Sequence, residues 1–538
     1  MYAAGATKRR PSDDADAWIL GSGTAVLASA VYLIQTTKIH PQNIHILNPH
    51  RSLDAALHDR GDPYRGYDQF ARCLPVPVGS PLKELLDSIP SGEREGGSIL
   101  HEIEARKGLR GNRKTGDGTC FLIKRDGVTE PASTRTWDLN FRSRVSLLRL
   151  MLMNERRVGR DQIRDVLPES FFRTAFWAMW SAQFGLQPWH SAVEFRRALR
   201  QYLSESRTLD ILGCLDITGY YQYEMIFLPL YFYLQSRGVD FQFDTRTEDI
   251  VLSGESSLKV SQLHLLRNGV RELQILGPAD IVLMNIGSTV SGSTIGNSHY
   301  PPPRSSMDAD EELDENWSIW LNLRSKSDHF GEPYNFCTRQ FESLMESFTV
   351  TVKDPLVFQQ LASLAKFPTE AGTYIVILSS QWKLHICVPQ QPVFPHQPQE
   401  VCVLWGFSNS PLCKGDFIKK PMVQCSGDEI LTEALRHLDL DTELFLRHTI
   451  TIPRLMPRMS AALLSRVQGD RPQVIPEGTT NIGFIGPFVE NSHYSTVDIS
   501  YEVLTAQKAV SELLGTKLYR SDRCNLPSAV LLEILFRK

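Results

Sequence analysis

The clearest pattern of apolar and polar positions lies near the start of the chain. Residues 17–20 are all apolar and have the length of a buried strand, and Gly21 and Gly23 follow them directly. Residues 24–34 then carry an apolar run long enough for a helix, and 43–48 contain a second short apolar stretch. This order predicts a strand, a tight turn, a helix and a second strand, which is the opening unit of a dinucleotide-binding fold.

The residue types in the turn suit the binding of a pyrophosphate. Gly21 lets the chain turn sharply off the strand, and Gly23 lets the backbone approach an anion closely. Thr24 and Ala25 begin the helix, whose free N–H groups would point at that anion. We therefore predict that these four residues bind a nucleotide cofactor.

Two positions depart from the usual fingerprint. The third glycine position holds Val26, and the residue that ends the second strand is Asn48 rather than an acid. An amide can still form a hydrogen bond with a ribose hydroxyl, but it carries no charge. A βαβ unit that binds nothing is the alternative interpretation.

Strand and helix patterns alternate along the remainder of the chain. A helix over 140–157 is amphipathic, with Leu147, Leu150 and Met151 at helical spacing toward a core. Further helices are predicted over 82–89, 161–167, 500–514 and 528–536, and strands over 119–125, 239–242, 260–265, 270–276, 280–285, 373–378, 401–404 and 481–486. The strands 260–265 and 270–276 are expected to form a small meander with 239–242.

Composition narrows the class of protein. The chain has 538 residues and a net charge of −4, so it is long enough for two or more domains and does not suggest a nucleic-acid partner. The nine cysteines are scattered without metal-binding spacing, which favours reduced thiols and no metal site. No apolar run reaches the roughly 18 to 20 residues that span a bilayer. We expect a cytoplasmic protein with a disordered tail over 1–15.

Several motifs, in the same order along nearly the whole chain, resemble the oleate hydratase family (the myosin-cross-reactive antigen family). They occupy residues 168–180, 189–194, 220–224, 228–230, 285–288, 317–320, 415–422, 469–472, 476–478 and 481–490. The resemblance implies an FAD enzyme that adds water across a cis double bond of an unsaturated fatty acid to give a hydroxy fatty acid. It also implies a homodimer and peripheral membrane contact.

The resemblance predicts an α/β fold with α+β insertions. A Rossmann-like FAD-binding domain would combine with a mixed-sheet substrate domain, a helical lid and C-terminal helices. The expected segments are 16–140 and 236–300 for the FAD-binding domain, 141–235 for the lid, 301–480 for the substrate domain, and 481–538 for a closing strand and the last helices.

The catalytic residues are assigned through the same resemblance. The family's Tyr-Asn-Gln-Tyr-Glu segment corresponds to 220–224, so Tyr220 is the first choice for the proton donor and Tyr223 the second, with Gln222 near the substrate. The family's loop glutamate, which orients the water, has no counterpart here. Counting back without gaps from the matching helix end at 88–91 places 70–75 on this loop, with no acid at the glutamate position. Aligning instead on the Arg65-Gly66 pair puts Gln69 there, and the adjacent Asp68 is the candidate substitute.

Other positions complete the expected site. Thr451 and Arg454 lie in a segment that resembles the one near the substrate carboxylate, and a guanidinium fork suits a carboxylate. Trp180, in the aromatic block 171–189, is expected to line the substrate tunnel, with plain helical core as the alternative. Further flavin contacts are assigned to Ser52, Ser288, Gly486 and Val497.

The missing glutamate leaves three functions open. The chain could be a hydratase, an isomerase or hydratase acting on another unsaturated lipid or polyketide, or a catalytically silent relative that binds FAD or lipid. The last helix, 528–536, could lie on a membrane surface or pack on the body of the protein, and we favour packing.

Overall fold

The structure is a computed structural model that describes residues 15–51, 61–68, 80–91, 97–108, 120–125, 127–131, 138–204, 226–255, 257–304, 313–364, 372–389, 391–394, 397–492, 494–516 and 528–536. Four of the predicted site residues, Ser52, Tyr220, Gln222 and Tyr223, lie outside these ranges. So does the predicted disordered tail, apart from Ala15, which is buried.

The strands have the following bounds: β1 Ala17–Leu20, β2 Ile44–Leu47, β3 Gly61–Asp62, β4 Gly66–Tyr67, β5 Cys120–Arg125, β6 Val128–Pro131, β7 Asp240–Gln242, β8 Thr245–Ser253, β9 Lys259–Arg267, β10 Val270–Ile275, β11 Ile281–Asn285, β12 Thr294–Ile295, β13 Met345–Val352, β14 Thr373–Ile377, β15 Leu384–Val388, β16 Cys402–Ser408, β17 Thr449–Met456 and β18 Ile482–Ile485.

The α-helices have the following bounds: α1 Thr24–Thr36, α2 Ser80–Asp87, α3 Ile99–Gly108, α4 Phe141–Leu152, α5 Glu155–Val158, α6 Ile163–Val166, α7 Ala175–Phe184, α8 Ala192–Ser204, α9 Leu228–Arg237, α10 Glu315–Lys326, α11 Tyr334–Cys337, α12 Gln340–Ser343, α13 Pro355–Leu364, α14 Gly427–His437, α15 Thr442–His448, α16 Ser500–Leu514 and α17 Ser528–Phe536.

A parallel sheet gathers strands from both ends of the chain. Its order among the described strands is β18-β11-β1-β2-β7, and every neighbouring pair is parallel. Strands β1 and β11 are buried throughout, as expected for a sheet covered on both faces. The chain leaves β1 toward β2 on one side and returns to β11 on the other. The carboxyl ends of β1 and β11 therefore border the topological switch point, where such sheets bind ligands.

A second, larger sheet has mixed strand directions. Its order is β12-β17-β13-β16-β15-β14-β5-β6, with the β14–β5 pair parallel and the other pairs antiparallel. Helices α7 and α8 pack on one face of the β5, β14 and β15 end, and α14 packs on the opposite face at β17. Helix α7 begins where the Thr174 hydroxyl accepts the Trp177 N–H, and it ends at Gly185 in the left-handed conformation.

The mixed α/β class predicted from the sequence is confirmed, and two predicted elements are arranged differently in the structure. The predicted helix over 140–157 is two helices, α4 and α5, because the chain is extended at Met153 before Asn154 caps the second helix. The 239–242 strand joins the parallel sheet beside β2 instead of the meander, and β8 takes its place beside β9 and β10.

The last helix packs against the body, as favoured from the sequence. Val530 and Ile534 of α17 are buried in the same apolar cluster as Leu147 and Met151 of α4. Leu532 and Phe536 on its other side remain exposed. Among the described residues, no helix combines the length and the apolar character needed to cross a membrane.

Candidate functional site

Glycines and asparagines converge at the switch point of the parallel sheet. The turn after β1 places Gly23 at φ +108°, a conformation that L side chains rarely adopt. An added Cβ there would meet only the Asn285 amide nitrogen, at 3.8 Å, so the space in front of the turn is open. No side chain caps the start of α1, which leaves its first N–H groups facing this space. These features suit a pyrophosphate.

Asn285, at the end of β11, holds the turn in place. Its amide nitrogen donates to the Ser22 carbonyl at 2.7 Å, while its side-chain oxygen is buried without a partner among the described residues. The side-chain oxygen of Asn316, 3.0 Å from the Cβ position of Gly21, is likewise unpartnered in this part of the chain. Only glycine fits at position 486, because a Cβ there would lie 2.1 Å from the side-chain oxygen of Asn285. Two orphaned acceptors beside the turn fit a ligand that carries hydroxyl or N–H donors.

The other predicted cofactor contacts fall in different surroundings. Asn48 is buried at the end of β2, and its side-chain oxygen already accepts the His50 N–H at 3.0 Å. The Ser288 carbonyl accepts the Trp317 indole N–H at 2.9 Å, near the switch point. Val497 instead packs in the apolar cluster of the helices α7 and α8. The structure therefore groups Gly21, Gly23, Thr24, Ala25, Ser288 and Gly486 at one place.

The two residues predicted for catalysis and head-group binding form an ion pair with each other. The Asp68 carboxylate accepts from the Arg454 guanidinium, and both side chains are buried. The short hairpin of β3 and β4 delivers Asp68 to the mixed sheet, where the Tyr67 N–H donates to the Thr351 hydroxyl at 2.8 Å. The charge of Arg454 is thus matched by Asp68, a relation that the sequence prediction did not foresee.

Thr451 and Trp180 lie away from this pair. Because side chains alternate along a strand, Thr451 points to the face opposite Arg454, toward the start of α14, where its hydroxyl is buried without a partner among the described residues. Trp180 is fully buried among Phe176, Phe184 and Tyr202 in the helical core. For Trp180 the geometry matches the alternative of plain helical core, and the predicted substrate contacts of both residues stay predictions.

A buried charge network, which we did not predict, anchors the helical layer. Glu194 of α8 is fully buried and accepts from Arg466 at 2.9 Å, Arg471 at 3.2 Å and the Thr496 N–H at 3.0 Å. Burial alone would raise the pKa of Glu194, but Arg466, Arg471 and Arg197 lower it to about 2. The available signal in the sequence was an acid within the apolar stretch 192–195.

The structure also brings Asp416, Glu433 and His437 together. The Glu433 carboxylate accepts three backbone N–H groups, from Asp416 at 2.6 Å, Phe417 at 2.9 Å and Ile418 at 2.7 Å. His437 lies 3.1 Å from the Asp416 carboxylate. Since Glu433 is occupied by these N–H groups, the cluster anchors the 415–418 loop onto α14.

The parallel sheet and its switch-point turn define an α/β protein with a nucleotide-binding type of fold. Residues 14–511 match the profile of the MCRA family, and the chain belongs to that family.

Two relatives share most of their length with this chain. An oleate hydratase of Streptococcus pyogenes serotype M49 (strain NZ131) is 30% identical, over 96% of this chain and 88% of that protein. A linoleate hydratase of Lactiplantibacillus plantarum is 26% identical, over 88% of this chain and 89% of that protein. Among solved structures, an oxidoreductase from Methanosarcina mazei has a TM-score of 0.49 at 10% identity, over 92% of this chain and 100% of that one.

Proposed function

We propose that this protein binds FAD and hydrates a cis double bond of an unsaturated fatty acid, giving a hydroxy fatty acid. Support comes from membership of the MCRA family and from its hydratase relatives. The single structural observation that carries the proposal is the buried Asp68–Arg454 pair. It offers a carboxylate, fixed in position and shielded from solvent, that would take the place of the family's loop glutamate.

FAD would be held at the switch point. Backbone N–H groups at Gly23, Thr24 and Ala25 would bind its pyrophosphate, and the unpartnered oxygens of Asn285 and Asn316 would accept its donors. Hydration involves no net change of oxidation state, so the reaction needs no hydride carrier. FAD, when bound, would contribute to the shape and the electrostatic potential of the site. Asn48, Ser52, Ser288, Gly486 and Val497 remain proposed contacts.

The chemistry requires an acid and a base on either side of the double bond. A proton adds to one alkene carbon, the oxygen of water bonds to the other, and the water gives up a proton. We assign the acid to Tyr220, with Tyr223 second, and the acceptance of the water proton to Asp68. Arg454 positions Asp68 through its forked N–H groups. A proton is returned to the tyrosine as the cycle closes, so the sum is one water added.

The remaining contacts belong to the same proposal. Gln222, Thr451, Trp180 and Arg454 are proposed neighbours of the fatty acid. A homodimer, and peripheral membrane contact through α17, stay predictions, as does the cytoplasmic location.

The first experiment records the absorbance of the purified protein with and without added FAD, followed by incubation with oleate and with linoleate in H₂¹⁸O. We expect a flavin spectrum and a hydroxy acid that carries one ¹⁸O atom. An isomerised acid without ¹⁸O would replace hydration by double-bond isomerisation. No flavin spectrum at any FAD concentration, together with no product, would contradict the proposal.

The role of Asp68 is tested by Asp68→Asn, which keeps the shape of the side chain and removes its negative charge. We expect hydration to fall roughly 100-fold or more, the typical contribution of a general base. Asp328→Asn, which changes an exposed carboxylate, serves as the matched control and should keep full activity. An Asp68→Asn variant that hydrates at the wild-type rate would remove Asp68 from the mechanism.

A further inference from the structure

The start of helix α10 lies beside the switch-point turn. The side-chain oxygen of Asn316 is 3.0 Å from the position of a Cβ on Gly21. The residue before it, Glu315, contacts β8 instead, where its Oε1 accepts the Thr247 N–H at 2.6 Å. Among the described strands β8 pairs only with β9, so its other edge is free to receive this carboxyl. Two successive residues of α10 thus connect the glycine turn with the first residues of β8.

This contact lies close to the end of β2. The Thr245 N–H donates to the Asn48 carbonyl at 3.0 Å, and Thr247 follows two residues later, about 7 Å further along β8. In dinucleotide-binding folds the residue at the end of the second strand is usually an acid that binds the ribose of the adenosine. Here that residue is Asn48, whose side-chain oxygen accepts the His50 N–H. The structure therefore brings an acid from α10 to the neighbourhood in which β2 supplies none.

Only one oxygen of the Glu315 carboxyl is used within the described part of the chain. Its Oε2 is buried and has no hydrogen-bond partner among those residues. Burial raises the pKa of Glu315 to about 7, against the opposing effect of the hydrogen bond from the Thr247 N–H. The neighbouring acid, Asp314, has a structural role instead, because it accepts the Trp317 N–H at 3.2 Å and so caps α10. A buried carboxyl with one oxygen unused is costly unless a ligand completes its hydrogen bonds.

We propose that Glu315 binds the adenosine half of FAD, with Oε2 hydrogen-bonded to the 2′-hydroxyl of the ribose. The Thr247 N–H holds the carboxyl in position through Oε1, which leaves Oε2 for the ligand. Asn316 is the next residue of the helix and lies at the glycine turn, so α10 and the turn would contact adjoining parts of one nucleotide. This assignment rests on the proposed binding of FAD and adds the residue that recognises its adenosine half.

Two other roles of the Glu315 carboxyl lead to different results. If it only closed the free edge of β8, its loss would weaken the binding of every nucleotide alike. If it occupied the place of the adenosine, its loss would strengthen binding. ADP and 2′-deoxy-ADP differ by the 2′-hydroxyl alone, so their relative affinities separate both roles from the proposed one.

The test titrates ADP and 2′-deoxy-ADP into the flavin-free, full-length protein by calorimetry. The wild type should bind ADP roughly tenfold more tightly, the size of one hydrogen bond to a charged group. Glu315→Ala should bind ADP roughly tenfold more weakly and 2′-deoxy-ADP as the wild type does, so that the preference disappears. Glu248→Ala is the matched control and should keep the preference, because Glu248 follows Thr247 on β8 and its carboxylate lies 3.0 Å from the Arg271 guanidinium.

FAD itself is then titrated into the same proteins, and Glu315→Ala should weaken its binding by the same factor. The nucleotide preference of the wild type tests the assignment even if the variant does not fold. Equal affinity of the wild type for ADP and 2′-deoxy-ADP, a preference that persists in Glu315→Ala, or tighter binding by this variant would each overturn the assignment.

Failure of the proposed function is recognised separately. A wild type that binds neither FAD nor ADP would overturn the proposed cofactor and the role of Glu315 together. Binding of FAD that does not depend on Glu315 would overturn only the role of Glu315. The expected nucleotide affinities without any hydroxy acid from oleate would overturn the proposed hydration and leave the assignment of Glu315 standing.

Discussion

Two buried carboxylates of the mixed sheet region have contrasting surroundings. Asp68 is matched by the Arg454 guanidinium, whereas Glu346 of β13 is fully buried with neither oxygen hydrogen-bonded among the described residues. Burial raises the pKa of Glu346 well above 4.5. The cost of an uncompensated charge is avoided because Glu346 stays protonated. Asp68 thus has a cationic partner, whereas Glu346 is a neutral part of the core.

At the residue scale, Glu346 makes stability depend on pH. The pKa of this group is higher in the folded than in the unfolded state, so its contribution to the stability is greatest below about pH 4.5 and falls as the pH rises toward the folded-state pKa. Glu346→Leu should raise the free energy of unfolding at pH 8 by about 1–3 kcal/mol and remove this component of the pH dependence. Urea denaturation at pH 5 and pH 8 measures both. If Glu346→Leu is less stable than the wild type at pH 8, the Glu346 carboxyl group forms a stabilising hydrogen bond or ion pair in the folded protein.

Gly23 gives a second prediction at this scale. Gly23→Ala places a Cβ in the open space before the turn, at a backbone conformation that costs a side chain about 1–3 kcal/mol. We expect the variant to lose most of its bound flavin, as judged by the ratio of flavin to protein absorbance. Gly127→Ala is the matched control, because Gly127 also has a positive φ and open space around it but lies in the β5–β6 turn. Equal flavin loss in both variants would assign the effect to strain alone.

At the scale of elements, the charge network around Glu194 joins α8 to the chain segments at Arg466, Arg471 and Thr496. These segments are far apart in sequence, so the network fixes how the helical layer sits against the strand β18 and helix α16 region. Tyr202 adds a second link from α8, donating to the Asp498 carboxylate at 2.5 Å. Buried charges of this kind stabilise only while every partner is present.

Glu194→Gln should therefore destabilise the protein by about 3–5 kcal/mol, since it leaves three guanidinium groups without their central carboxylate. The lowered pKa of about 2 means that the stabilisation is present above about pH 4.5 and is lost as the pH falls toward 2. Denaturation of wild type and variant at pH 7 and pH 3 should show the difference shrinking at the lower pH. The exposed pair Glu443–Arg447 offers the control Glu443→Gln, expected within about 0.5 kcal/mol of wild type. A similar small effect at Glu194 would contradict the assigned role.

At the scale of the whole molecule, the switch point is built from distant parts of the chain. Strands β1, β11 and β18 span residues 17 to 485, and α16 packs against α1 across the same region. A ligand bound at their carboxyl ends would touch segments that only the folded chain brings together. Its binding energy is therefore added to the stability of the whole fold.

Addition of FAD to flavin-free protein should raise the unfolding temperature. At a concentration 100 times the dissociation constant the gain is about 2.7 kcal/mol. Riboflavin, which has no pyrophosphate for the α1 N-terminus, should produce a smaller rise at the same concentration. Thermal unfolding followed by tryptophan fluorescence provides the measurement. Equal shifts with both ligands would mean that the pyrophosphate is not recognised.

Local pattern was sufficient for the elements of the parallel sheet. Strand β1, helix α1 and strand β2 were predicted within about two residues, and helix α16 with its observed bounds, because their apolar periodicity is strong and glycine marks the turns. The predicted pairing of the strand 239–242 with the meander was wrong, because strand pairing depends on long-range contacts that no local pattern encodes.

The sequence by itself determined the α/β class, the family and the glycine turn, since each depends on residue types at short spacing. Only the tertiary structure decided that Asp68 meets Arg454 across 386 positions, that Thr451 faces away from it, and that Trp177 rather than Trp180 borders a cavity. These outcomes depend on strand register and on which side of a helix meets the sheet. A shift of one residue along a strand reverses the face on which every side chain lies, so long-range packing alone selects the groups that can act together.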